Sequence, residues 1–386
     1  MPPPRHASLD PVPVLRPLLP PAQALAPWLE RIDESRWYSN FGPLERLFRE
    51  RLGALAGLSA DQLSLFSTGT AALAVALRAS VGRQGGLCLM PSWTHIGSAS
   101  AARMAGLEPY FLDCDPETWA ISPEAALQLA SRPGVRAVLP VAPFGSHLDY
   151  AAWDRFADRT GLGVVIDAAA GFDQFVNLGK AVPWGRTPVM VSLHATKAFG
   201  VGEGGLLLSA DAGLMERALQ LGNFGIYADR PVDDAFGNFK MSEYSAAIGL
   251  AALELWPERR RALAELSARM SAGFDQLGVV KAPGFGGELV SSTCMVAVPG
   301  RSANELERLC AEHQIGARRW WREGLHRLPG FAACGREALT NCEAIASAYL
   351  GIGYFPDMTD AECERVLAVL EAARQPAARA AAGASQ

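Results

Sequence analysis

The sequence predicts an α/β fold, with a mostly parallel central sheet flanked by helices and a smaller C-terminal α+β domain. Short apolar runs alternate with segments of helical periodicity, which is how strands buried on both faces read. The chain has 386 residues, 49% apolar and 19% charged, enough for two units that each bury a core. Beyond residue 257 the alternation gives way to a mixture of strands such as STCMVAV and helices such as ANELERLCAEH and DAECERVLAVLEAA.

The first 22 residues are proline-rich and predict an extended arm (1–22). LSLFS (63–67) reads as a strand, with helix AALAVALRASV after it. GLCLM (86–90) is the next strand and WTHIGSASAARMAG the next helix. PYFLD (109–113), AVLPVA (137–142) and GVVIDAA (163–169) continue the series, with helix DYAAWDRFADRTG among them. VMVSLH (189–194) and GLLLSA (205–210) are two strands joined by a glycine-rich turn. From Met241 a helical stretch runs to Pro257, which should end or kink it, and the pattern resumes with RRRALAELSARMSAGFDQLG. The expected units are therefore 23–256 and 257–374, with a disordered tail at 375–386. No internal repeat is visible.

A net charge of −5 offers no basic footprint for nucleic acid. Seven scattered cysteines (Cys88, Cys114, Cys294, Cys310, Cys334, Cys342 and Cys363) form no CxxC pair. Free thiols in a reducing compartment are expected, with neither a disulfide framework nor a zinc site. Prolines interrupt the start where a signal peptide needs an apolar stretch, and no run reaches about 18 apolar residues, so a cytoplasmic protein without a membrane span is expected.

The chain has four lysines, at 180, 197, 240 and 281. Lys197 stands in VSLHATKAFGVGEGGLLLSAD, between an apolar strand and a glycine run. Lysine, unlike arginine, can be tuned to lose its proton and act as an amine nucleophile. GVGEGG (200–205) matches G-x-G-x-x-G, but a dinucleotide fingerprint needs a helix next and a strand follows. The glycines suit a tight turn beside a bulky ligand instead. At FSTGTAAL (66–73) a strand ends, Gly69 permits a turn, and Thr70 and Ala71 open a helix whose N-terminus favours an anion; an ordinary Ser/Thr cap reads the same way. Asp167 ends strand GVVID at the edge where open α/β sheets bind ligands, or caps the following helix. Trp93 and His95 follow GLCLM at the same edge, as stacking rings or as core. A lysine amine, a carboxylate, a helix N-terminus and a flat ring are together the parts that hold pyridoxal phosphate.

These segments resemble the DegT/DnrJ/EryC1/StrS family of sugar aminotransferases, which have the fold-type I pyridoxal-phosphate architecture. The resemblance is carried by STGTAAL, PSWTH, GLEPYFLDCDPETWAISP, IDAAAG, SLHATKAFGVGEGG and GNFKMSEYSAAIGL, and it runs from SRWYSNFGPLERLFRERL (35–52) to LGIGYFPDMTDAECERVL (350–367). It implies that Lys197 links covalently to the cofactor and then carries the proton, and that Asp167 pairs with the ring nitrogen. Gly69, Thr70, Ala71 and Ser192 would surround the phosphate and His95 would stack on the ring. Asn238 would reach the phosphate from a neighbouring subunit, which implies a homodimer with shared active sites. Arg318 and Arg319, in GARRWW, would meet a substrate diphosphate or else lie solvated on a strand edge. The implied reaction moves an amino group, most simply from glutamate, to a nucleotide-linked 4-keto-6-deoxy sugar. An aminocyclitol ketone as acceptor, or a non-catalytic partner protein, stays open. Two positions depart from the family pattern: Ala170 stands where Gln or His is usual, and Ala142 replaces the histidine of V-H-x-x-G.

Overall fold

Short, mostly buried strands set the centre of the molecule. The computed structural model describes residues 10–178, 184–226 and 233–375. The tail expected at 375–386 lies outside the described residues from 376 onward, as do residues 1–9 of the expected arm. In chain order the helices are α1 (Ala22–Ser35), α2 (Pro43–Ala56), α3 (Gly69–Val81), α4 (Ile96–Met104), α5 (Pro123–Leu129), α6 (Tyr150–Thr160), α7 (Phe172–Leu178), α8 (Ala212–Leu221), α9 (Glu243–Leu277), α10 (Ala303–Glu312), α11 (Thr340–Ala348) and α12 (Asp360–Arg374). The strands are β1 (Leu63–Phe66), β2 (Gly86–Pro91), β3 (Leu107–Leu112), β4 (Val135–Val138), β5 (Gly163–Val164), β6 (Ile166–Asp167), β7 (Val189–Ser192), β8 (Gly205–Leu208), β9 (Val280–Lys281), β10 (Cys294–Ala297), β11 (Ala317–Arg318) and β12 (Leu350–Ile352).

Two four-stranded ladders, β3-β2-β4-β5 and β1-β8-β7-β6, meet along one stretch of chain. Only Val165 separates β5 from β6; its N–H donates to Val138 O at 3.1 Å, and Ile166 N–H donates the other way to Pro188 O at 2.9 Å. Residues 163–167 therefore join both ladders into one sheet. Its pairings are parallel except around β8, which runs antiparallel to β1 and β7. The alanine-rich α3, buried from Ala71 to Leu77, packs against the sheet and α4. β4 stops at Val138, short of the expected 137–142, because Pro140 has no N–H for the ladder; pairing resumes at Val141 opposite Asp167.

The C-terminal part carries an antiparallel sheet of order β11-β12-β10-β9 with α10, α11 and α12. Capping boxes at Ser302/Glu305 and Thr359/Glu362 start α10 and α12. Part of the predicted arm packs on this sheet: Val12 is buried and bridges Ile315, and Arg16 pairs with Asp357 and Glu362.

Pro257 does not end its helix. α9 continues through it for 35 residues, so the predicted unit boundary falls inside one helix. Pro257 sits on the exposed face, where the carbonyl that loses its N–H partner can be solvated. Trp256 beside it is buried, edge-on to Phe172 at 5.0 Å and Phe199 at 5.8 Å, which fixes the helix at that turn. The α9 N-terminus also supports another helix. The Glu243 carboxylate accepts from Leu44 N at 2.7 Å and Glu45 N at 2.9 Å, capping α2 from across the fold. Gly42 lies tight against it: a Cβ there would come within 2.5 Å of Glu243 Cδ.

Candidate active site

The sheet delivers Asp167 at the C-terminal end of β6, held from both sides. Asp167 N–H donates to Pro140 O at 2.8 Å and its carbonyl accepts from Ala142 N at 2.9 Å, while the next residue, Ala168, bonds Met190 O at 2.9 Å. The carboxylate is buried; Oδ2 accepts from Ser98 Oγ at 2.7 Å and Oδ1 from Ala169 N at 3.0 Å. Ser98 Oγ, its own proton given to Asp167, accepts from Thr94 Oγ1 at 3.0 Å. Burial raises the Asp167 pKa, opposed by those two donors and by the charges of Lys197 and His95. No ion pair to Asp167 occurs among the described residues, so a cationic nitrogen arriving there would find an unpaired carboxylate.

Lys197 rides on the loop between β7 and β8. Leu193 N bonds Gly204 O at 2.9 Å, Val201 N bonds Leu193 O at 2.8 Å and Ala195 N bonds Gly202 O at 2.8 Å, so the two strands continue into a closed turn. The glycine run is what lets it close. A Cβ at Gly200 would stand 2.9 Å from Ala195 Cα, and one at Gly205 would stand 2.4 Å from Thr68 O. Lys197 is half-buried, and its amine makes no hydrogen bond among the described residues. Desolvation lowers its pKa and Asp167 partly restores it.

Gly205 and Gly69 bring the start of α3 to the same place. Thr68 caps the helix by accepting from Ala71 N at 3.0 Å. Ala71, expected among the anion donors, thus has its N–H engaged by the cap. A Cβ at Gly69 would lie 3.3 Å from Ser192 Oγ, so the buried Ser192 stands against the first turn of α3. Thr70 Oγ1 faces Gly97, where a Cβ would come within 3.0 Å of it and 2.9 Å of His95 Nδ1. His95 caps α4 through Nδ1, which accepts from Gly97 N at 3.0 Å, and this starts the helix at Ile96 instead of at the expected Trp93. Its pKa is lowered by desolvation and then by the Lys197 charge, which puts it in the same electrostatic field.

Trp93 takes the core reading. It is buried edge-on to Trp119 at 5.3 Å and Trp321 at 4.8 Å, and Phe144 stacks on Trp321 at 4.4 Å. This aromatic cluster joins the ends of β2 and β4 to the segment after β11. A cavity of about 320 Å³ opens from Phe144 and His147 to residues 282–293. Ala142 is buried, and Ala170 lies beside Gly145, whose Cβ would be 2.7 Å from Ala170 O. Methyl groups therefore stand in both loops bordering Asp167.

The side chains of the remaining expected residues make no hydrogen bond to this cluster among the described residues, although Phe239 O, next to Asn238, accepts from Ser67 N at 2.7 Å just before α3. Asn238 is exposed, paired through its backbone with Asn223, and its side chain makes no hydrogen bond among the described residues. Arg318 is exposed and stacks over Trp320 at 4.8 Å. Arg319 binds Asn304 Oδ1 at 2.7 Å and Glu323 at 2.9 Å, so its charge is already matched within the chain. Ser98 went unread in the sequence, although it stands in the first turn of the helix that His95 caps at this sheet edge.

The donor set fits pyridoxal phosphate: a buried acid short of a cation, a desolvated amine in its field, and a glycine-lined helix start beside a serine. A sequence profile of the DegT/DnrJ/EryC1/StrS aminotransferase family matches residues 23–371. The Mycobacterium tuberculosis (strain H37Rv) protein Rv3402c is 32% identical over 357 residues, 90% of this chain and 84% of that protein. The dTDP-4-amino-4,6-dideoxy-D-glucose transaminase of Shigella dysenteriae is 33% identical over 244 residues, 63% of this chain and 65% of that protein. Among solved structures, that of DesI in the presence of its TDP-sugar product has a TM-score of 0.82 at 27% identity, covering 95% of this chain and 93% of that one.

Proposed function

This chain belongs to the DegT/DnrJ/EryC1/StrS aminotransferase family and is a pyridoxal phosphate-dependent aminotransferase, and from that premise we propose that it aminates a nucleotide-linked 4-keto-6-deoxy sugar with glutamate as donor. The carrying observation is the Lys197 amine, desolvated and without a hydrogen-bond partner among the described residues, in the field of the buried Asp167. The bound cofactor supplies an aldehyde and an electron sink. Lys197, its pKa lowered, would provide the neutral amine that such chemistry needs, and its Nζ could then hold and return a proton as a general acid–base, a role worth about 10²–10⁴-fold. Asp167, oriented by Ser98 and Ala169, keeps a ring nitrogen protonated. The Gly69 and Thr70 amides and Ser192 would hold the phosphate, and His95 would cover the ring.

Two copies share each site in this reading. Asn238 reaches into its partner; the exposed Phe224 and Ile226 follow Asn223, its backbone partner, and Tyr38 and Tyr244 are exposed near the start of α9. Tyr38 and Tyr244 stack at 6.3 Å, Glu243 N bonds Tyr38 O at 3.1 Å, and the Lys240 ammonium lies 5.0 Å over Phe224. An apolar strip of this kind is buried more readily by a second copy than by water. The exposed Arg318 serves the diphosphate, and Arg319 holds that segment in place.

The purified protein should carry a visible absorption band that fades on adding glutamate and returns with one member of a panel of nucleotide-linked keto sugars. Lys197→Ala should lose the covalent linkage and turnover together. A Lys197→Ala protein with the wild-type spectrum overturns the assignment, and a band that responds to glutamate but to no sugar nucleotide overturns the acceptor alone.

A further inference from the structure

All seven cysteines are free thiols, and two of them touch. Cys342 Sγ lies 3.4 Å from Cys114 Sγ, although the residues are 228 positions apart in the chain. Among the described residues this is the one sulfur–sulfur contact with a hydrogen-bond geometry. Both cysteines are buried, at 2% and 0% exposure, so no solvent layer separates them.

Asp113 makes the contact firm. Placed just after β3, its Oδ1 accepts from Cys114 N at 3.0 Å and from Cys342 N at 2.8 Å, and its Oδ2 accepts from Asn341 N at 2.8 Å. The α11 N-terminus has no side-chain cap of its own, and Asp113 supplies one from across the fold. Two amide nitrogens bound to one oxygen lie at most about 6 Å apart, which suits the Cα separations of roughly 4.4–6.8 Å that a disulfide spans. A tetrahedral zinc reading is weaker. Asp113, Cys114 and Cys342 offer three ligands, the carboxylate already accepts three N–H groups, and no fourth ligand joins them among the described residues.

We infer that Cys114 and Cys342 are a redox-modifiable pair that a peroxide converts into an intramolecular disulfide, stapling α11 to the end of β3. One thiolate attacks a peroxide oxygen, leaving a sulfenic acid and releasing one water after protonation. The second sulfur attacks the sulfenic sulfur, the S–S bond forms and a second water leaves. The dithiol gives up two electrons and two protons, and hydrogen peroxide takes up both. Contact with Cys342 and burial hold the Cys114 thiol well above its ordinary range, so the closed protein reacts slowly and oxidation passes through opening of the α11 contact. The staple would also fix what α11 carries towards the aromatic cluster: Tyr349, edge-on to Trp119 at 4.5 Å, and Glu343, 3.1 Å from the buried His326.

The test treats the reduced holoenzyme with hydrogen peroxide, denatures it, alkylates free thiols and maps peptides by mass. Two of the seven thiols should resist alkylation, in a linked peptide pair containing Cys114 and Cys342. Dithiothreitol should restore all seven, and the oxidised protein should melt a few degrees higher. Seven alkylated thiols, a different pair, or sulfinic acid at these positions overturns the inference. The Cys342→Ser protein should show neither the cross-link nor the rise, and a rise that persists overturns the staple. Zinc alone, added to the reduced protein, should leave both thiols open to alkylation after denaturation in chelator-free buffer; protection of both would establish a metal site instead.

Discussion

Ser98 and Glu45 show how single side chains set the charges of this molecule. Ser98→Ala removes a 2.7 Å bond to the Asp167 carboxylate and leaves only Ala169 N–H. Hydrogen bonds to charged groups are worth about 1.5–3 kcal/mol, so kcat should fall roughly tenfold or more. The lost donor had been lowering the Asp167 pKa, so the acid limb of the pH–rate profile should move to higher pH. An unshifted limb would mean that Ser98 does not act through Asp167. Glu45 is buried, its Oε2 has no partner, and burial raises its pKa to about 7, with Glu243 adding to the rise and Arg49 and Arg46 opposing it. The folded chain holds this proton more tightly than the unfolded chain does. Its contribution is full below the ordinary carboxyl pKa and is lost as pH climbs from there through about 7. Glu45→Gln should flatten the decline in melting temperature between pH 5 and 8. The sequence singled out Lys197 and Asp167 because one is a rare lysine between a strand and a glycine run and the other is an acid closing an apolar strand. It could not disclose Glu45, whose carboxylate is perturbed by Glu243, 198 positions away.

At the level of elements, the glycine turn and the α3 start act as one part. Gly205 opens β8 directly against Thr68 and Gly69, where a Cβ would meet Thr68 O at 2.4 Å and Gly69 N at 2.8 Å. Neither backbone atom can yield without moving the helix N-terminus. Gly205→Ala should therefore cost about 1–3 kcal/mol of stability and weaken cofactor affinity, read by denaturant titration and by cofactor titration of the apoprotein. A loss of stability with unchanged cofactor affinity would uncouple the turn from the anion site. The positions of the strands were legible because strands buried on both faces read as continuous apolar runs. Element ends were less so. Helix α4 begins at Ile96 because His95 caps it with a ring nitrogen, and β4 ends early at a proline, details that periodicity does not carry.

For the whole molecule, the shared-site reading makes a sharp prediction. Lys197→Ala and Asn238→Ala proteins, each weak alone, should regain up to about a quarter of wild-type activity when unfolded and refolded together, because half the dimers are mixed and each mixed dimer has one intact site. No recovery would confine every needed residue to one subunit. Among the described residues no helix is long and apolar enough to cross a membrane. The sequence suggested that Pro257 ends or kinks its helix because proline usually interrupts helices; packing of Trp256, Phe172 and Phe199 overrode the proline. That override limits how the gene can be cut. Residues 243–277 form one rod of about 52 Å, so fragments separated at Pro257 would each display a severed, greasy stump and clump. Parting the chain at Gly300, in open space with φ +81°, would leave every rod whole and give two pieces fit to be recombined.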